Sequence, residues 1–324
     1  MPAAFGIVAV PNAFAHHGNI IFDLDRVVTM QGTVSRYEWR NPHVYIFVEA
    51  VGNDGEVAEW QLEGDPIPIM TRSGWSPTSL KPGDFVTVRM NPDRNPQRKH
   101  ALMISLTNPD GVILFPRSGG RASVTRAAGI EGVWDGLRGW NTRQFIYGEL
   151  TEAGAAAQAA YTEDDNPVSD CIPYPLPTIV ASPYLNDVVI HEDRITIRSE
   201  FFGVVRTIYM DGRGHPEEGE RTNQGHSIGW WEDDVLVVDT MLYADYRAGN
   251  RSGIPSGPRK HSVERYALTE DGTQLIITYT IEDPDYMVDP MTGSMVWDFA
   301  PGRELIPIEC DPDNARLYEL DQAL

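Results

Sequence analysis

The sequence predicts an all-β protein of two domains, a small OB-like β-barrel followed by a larger lipocalin- or calycin-like antiparallel β-barrel. Three observations carry this reading. Apolar segments are short and divided by turn residues, with 29 Gly and 24 Pro among 324 residues, a punctuation that suits strands and tight turns. The length is more than one small core needs and enough for two. RSGGRASVTRAAG, at 117–129, is a small-residue, basic stretch between two β-rich regions and reads as a linker.

Residues 1–15, MPAAFGIVAVPNAFA, are apolar and uncharged. They end in Ala13-Phe14-Ala15, the small-x-small pattern that precedes signal cleavage. The expectation is a signal-peptide remnant lacking its basic region, a mature chain starting at His16, and a periplasmic or secreted location. The competing reading is an ordinary N-terminus.

Residues 16–116 form the first unit. VVTMQGTVSRYEW (27–39) reads as a strand with Gly32 at a candidate bulge. HVYIFVEAV (43–51) follows the Asn41-Pro42 break, and EVAEWQLEG (56–64) returns after an NDG turn. SLKPGDFVTVRM (79–90) and KHALMISLTNPDGVIL (99–114) complete five or six short strands, the number a small closed barrel requires.

Residues 130–324 form the second unit. Thr151 reads as the N-cap of one helix, EAGAAAQAAY. CIPYPLP (171–177) is too Pro-rich for regular structure. Eight strands follow: DVVIHE, RITIRSEF, GVVRTIYM, SIGWWE, DVLVVDT, SVERYALT, QLIITYTIED and SMVWDFA. Similar lengths and tight turns between them predict an up-and-down barrel or curved sheet.

Composition narrows the function classes. Twenty-six Lys and Arg against 47 Asp and Glu give a net charge of −21, which repels phosphate backbones and argues against nucleic acid as a partner. No apolar run reaches the roughly 20 residues of a membrane span. The two cysteines, Cys171 and Cys310, are expected to form a disulfide if the chain is exported.

Two groups of residues suggest chemistry. A chain starting at His16 would offer its α-amine and the His16 imidazole as a chelate, and a second imidazole would complete a three-nitrogen site suited to Cu(II). His43 is the first choice for that ligand, with His17 and His100 behind it and Asp23 and Glu63 as weak oxygen donors. The competing reading makes His16 and His17 a solvated tail. In the second unit His226, His261, Asp239, Glu264 and Arg206 are candidates for acid–base catalysis, with His215 nearby. Strand alternation places His226, Ile228 and Trp230 on one face, and likewise His261 and Val263, with Glu264 opposite. The competing reading is structural: Arg–Glu pairs at barrel ends and histidines bonded to carbonyls.

The first unit resembles a family of uncharacterised exported bacterial domains. The resemblance rests on AHHG…FD (15–23), GTVSRYEWRNPHVYI (32–46), WQLEG (60–64), RSGWSPTSLKPGDFVTV (72–88) and Asp110-Gly111. It implies an exported domain that begins His-His. The second unit is similar to another group of hypothetical bacterial proteins through CIPYPLP, RTIYMDGRGHP, GHSIGWWEDDVLVVDT, HSVERY, TIEDPDY and IEC. Neither resemblance brings an activity.

Two function classes follow. One is an exported binding protein for copper or for a hydrophobic or aromatic small molecule. The other is a cofactor-independent isomerase, hydratase or lyase acting on such a molecule.

Overall fold

The computed structural model describes residues 21–51, 55–118, 124–139, 143–162 and 165–315. The chain builds two closed β-barrels in sequence order, as the sequence predicts.

The first barrel comprises β1 (Val28–Glu38), β2 (Tyr45–Val51), β3 (Val57–Glu63), a short helix α1 (Ile67–Arg72), β4 (Phe85–Pro92), β5 (His100–Thr107) and β6 (Ile113–Leu114). The order β3-β2-β1-β4-β5 closes through a parallel β3–β5 pairing, and β6 lies beyond β5. Five strands closed this way, with a helix between β3 and β4, give the OB arrangement. Alternation drives it. On β4, Val86, Val88 and Met90 are buried while Phe85 and Arg89 face out. They pack with Val34, Ile46, Val48, Leu62, Met103 and Leu106. The bulge on β1 falls between Val34 and Arg36, not at Gly32. Gly32 instead allows close approach of two strands: a Cβ there would lie 2.4 Å from the Glu49 carbonyl oxygen.

The second barrel comprises β7 (Gly132–Asp135), β8 (Gln144–Ile146), helix α2 (Glu152–Ala160), β9 (Leu185–Ile190), β10 (Arg194–Ser199), β11 (Val205–Tyr209), β12 (His226–Glu232), β13 (Val235–Met241), β14 (His261–Leu268), β15 (Gln274–Glu282) and β16 (Met291–Phe299). Thr151 caps α2 as expected, its hydroxyl accepting from the Gly154 N–H at 3.1 Å. Nine strands close in the order β7-β9-β10-β11-β12-β13-β14-β15-β16, and β8 pairs with the remaining edge of β16. The ring thus adds β7 to the eight strands read from the sequence.

The expected antiparallel pattern holds at every seam of the ring but one. β11 and β12 run parallel, with Ile208 opposite Ser227. Parallel neighbours cannot be joined by a hairpin, so residues 210–225 carry the chain back to the starting end. That long connection places His215 over the strands it crosses.

The interior of this barrel is filled. Trp134, Trp297, Tyr266 and Tyr243 are at most 1% exposed. A cavity beside Arg206, Tyr266 and Trp297 measures about 20 Å³, room for about one water molecule. It does not admit an aromatic ligand.

Cys171 and Cys310 are bridged, with Cα atoms 5.7 Å apart. The bridge fixes the C-terminal segment to the Pro-rich turn and is compatible with an extracytoplasmic location. The two barrels also touch directly. Arg72 on α1 donates to the buried Glu200 carboxylate at 2.8 Å, and Glu200 further accepts from the Leu185 and Ile306 N–H groups. Asn314 donates to the carbonyls of Asn41 and His43 in the first barrel. Among the described residues no helix is long and apolar enough to cross a membrane.

Candidate active site

Strand register sets out the outer face of the second barrel in rows. One row runs His226 (β12), Met241 (β13), His261 (β14) and Glu282 (β15). The next runs Ile228, Asp239, Val263, Thr280 and Thr292. A third runs Trp230, Val237, Arg265, Thr278 and Ser294. Asp239 therefore sits one row below and diagonally between His226 and His261. The strands carrying the two histidines are not neighbours; β13 lies between them, and its carboxylate links them.

Asp239 accepts from His261 Nε2 at 3.0 Å on one oxygen and from His215 Nε2 at 2.9 Å on the other. His215 Nδ1 lies 2.9 Å from His226 Nδ1. The His226 ring stacks on Tyr209, whose other partner is the Arg213 guanidinium, 3.9 Å from the ring centre. His261 Nδ1 is 3.6 Å from Glu282. A chain of contacts thus runs His226–His215–Asp239–His261–Glu282.

Proton positions follow from donor and acceptor counting. Asp239 accepts, so His215 Nε2 carries a proton. Where His226 donates its Nδ1–H across this contact, His215 Nδ1 is the acceptor. His226 Nε2 then holds a lone pair. Burial, with help from His215 and Arg213, lowers the His226 pKa below the ordinary imidazole value. The hydrogen bond to Asp239 raises that of His261 against the opposing effect of burial, and Glu282 adds to the rise. Burial raises the Asp239 carboxyl, but its two histidine partners more than offset this and leave it lowered. The two shifts oppose each other: the surroundings of His226 favour its unprotonated form and those of His261 its protonated form.

Glu264 and Arg206 lie on the inner face, away from this cluster. Arg206 donates to both oxygens of Glu264, to Thr240 at 2.8 Å and to Ser227 at 3.1 Å. Tyr266 donates to Glu264 at 2.8 Å. Burial works against the guanidinium charge, yet Glu264 holds its pKa above the usual value. Both groups are engaged with each other inside a packed barrel.

An open groove of about 300 Å³ lies on the outer face beside the histidine cluster. It begins at Val263 and Thr280, which follow Asp239 in its row, and extends over β16 to β8.

In the first barrel His43 lies 3.3 Å from Glu63 through Nδ1, which also lies 3.1 Å from the Gly64 carbonyl. His100 approaches the other Glu63 oxygen at 3.6 Å and Asp93 at 3.9 Å. Burial raises the Glu63 carboxyl, and the two imidazoles together pull it below its ordinary value. Among the described residues no group of three or more His, Cys, Asp and Glu is arranged to hold a metal ion. His16 and His17 lie outside the described residues.

Residues 6–102 match the model of a family of unknown function (DUF6152), a span that reaches from the N-terminal segment into β5. No curated protein matches the chain.

Proposed function

We propose that the protein is an acid–base enzyme of the second barrel, moving a proton within a small molecule without drawing on a cofactor, in the manner of an isomerase, hydratase or lyase. His226 Nε2 is the base and the His261 imidazolium the acid. Asp239 and His215 orient them. The observation that carries this reading is a pair of imidazoles, His261 bonded to Asp239 directly and His226 joined to it through His215, in environments that push their pKa values in opposite directions, an arrangement suited to paired base and acid roles. The test is deuterium uptake from D₂O into a panel of carbonyl compounds and β-hydroxy acids with acidic C–H bonds. His226→Asn and His261→Asn should each abolish uptake seen with the wild type. Uptake that survives both, or none with any member, sinks the reading.

A second reading keeps the first barrel as an exported copper binder using His16, His17 and His43. It is favoured by the contacts of Ile21 and Phe22. The Arg94 N–H donates to the Ile21 carbonyl at 2.7 Å, and Phe22 pairs with Asp93 and packs edge-on against His100. Ile21 and Phe22 therefore lie beside the His100–Asp93 end of the His43–Glu63–His100 cluster. Periplasmic or secreted location belongs to this reading.

A further inference from the structure

The groove beside the histidine cluster carries chemistry of its own. Five uncharged side chains that both donate and accept hydrogen bonds line it: Gln144, Thr278, Thr280, Thr292 and Ser294. Register explains their convergence. Thr278, Ser294 and Gln144 occupy one row across β15, β16 and β8, and Thr280 and Thr292 the row beside it. Thr278 and Thr280 point outward on β15, where the alternate residues Ile277, Tyr279 and Ile281 are buried, and Thr292, Ser294 and Gln144 share their rows. Among the described lining residues Arg265 is the one cation, and it is held by Glu232 at 2.7 Å. Glu232 also accepts from the Trp230 indole N–H at 3.1 Å. This leaves a 41% exposed indole in the same row as Arg265.

We infer that this groove binds a neutral, hydroxyl-rich molecule of sugar-like size, and that this is the substrate class of the acid–base site. The inference rests on the proposed enzymatic reading for the word substrate, but not for the binding. Hydroxyl groups on a ring can each donate to and accept from threonine, serine and glutamine, whereas an aromatic or aliphatic ligand would cover those groups without meeting them. The volume is at the lower end of ligand clefts, roughly 300–1,000 Å³. An anion would find Arg265 already engaged. Val263, between Asp239 and Thr280 in one row, makes the cluster and groove continuous.

The test is methyl NMR of threonine-labelled full-length protein titrated separately with cellotriose, maltotriose and chitotriose, and with 1-naphthol as the aromatic probe. Saturable shifts of the Thr280 and Thr292 methyls with at least one trisaccharide are expected. Thr280→Val and Thr292→Val, which keep shape and lose the hydroxyl on an outer face, should each weaken binding about tenfold. Binding is read from the methyl shifts without any turnover, so a failed acid–base reading leaves this result standing. Shifts with 1-naphthol alone, or with none of the four probes, would overturn the inference. So would sugar binding that both valine variants leave unchanged.

Discussion

Asp239 holds His261 through a 3.0 Å hydrogen bond from Nε2. The same carboxylate holds His215, so one β13 side chain sets two imidazoles at once.

Replacing that carboxylate tests its role. Asp239→Asn removes the largest influence raising the His261 pKa, which should fall toward the ordinary imidazole value, while Glu282 at 3.6 Å keeps a residual effect. Long-range ¹H–¹⁵N spectra across pH would read this directly. Activity should fall by roughly 10²–10⁴-fold, the usual worth of one acid–base group. An unchanged His261 titration would show that the bond does not set its protonation.

The pH dependence follows from two opposite shifts. His226 must be neutral to act as base, and its pKa lies below the ordinary 6.5. His261 must be protonated to act as acid, and its pKa lies above it. Activity should rise through the first value and fall through the second, giving a bell with its top between the two. Stability follows the same signs. The contribution of His261 is fully present below its unfolded pKa and fades as pH rises through its folded one. The lowered His226 favours unfolding as pH falls below 6.5. A profile that only rises with pH would remove His261 from the acid role.

Much of this site was legible in the sequence as separate pieces. Alternation grouped His226 with Ile228 and Trp230 and set Glu264 on the face opposite His261, because period two needs only local pattern; which face turns outward was not legible. Adjacency was not legible, because register between strands depends on barrel closure. The pairing of Arg206 with Glu264 across the interior belongs to that same long-range information. His215 was visible only as a nearby histidine. Its place follows from the parallel β11–β12 seam, and a connection of residues 210–225 too long for a hairpin was the signal that could have found it.

The interior pair should matter for stability rather than for chemistry. Glu264→Ala would leave the buried Arg206 guanidinium without its carboxylate, costing about 3–5 kcal/mol. Arg206→Met with Glu264→Leu, which removes both charges, should cost less than either single change. Urea denaturation of the three variants decides it. Equal or greater loss in the double variant would mean the pair contributes more than the absence of a stranded charge.

The Cys171–Cys310 bridge spans 139 positions. On the chain-entropy model, closing such a loop contributes about 4–5 kcal/mol by restricting the unfolded chain. Cys171→Ala with Cys310→Ala should lower the denaturation midpoint accordingly, and mainly for the second barrel, which contains both ends. Tryptophans in each barrel allow separate transitions to be followed. A loss confined to the first barrel would contradict this assignment.

The copper reading makes its own demand on His43. Processed protein starting at His16 should bind Cu(II) through the terminal amine, the His16 imidazole and His43. Oxidised copper there should show tetragonal nitrogen coordination by EPR. His43 is oriented by the buried Glu63, 3.3 Å from its Nδ1, and Glu63 also faces His100. A carboxylate behind a metal-binding imidazole fixes its ring and raises its basicity. Glu63→Gln should therefore weaken copper binding by about 10–100-fold, and His43→Ala by more. Protein retaining residues 1–15 should bind more weakly still, because its residue-16 nitrogen is an amide that cannot join the chelate. Lowering pH should release the metal, as protons compete for the amine and both imidazoles. Equal affinity for processed wild type and His43→Ala would remove His43 from the site and return the His16-His17 pair to a solvated tail.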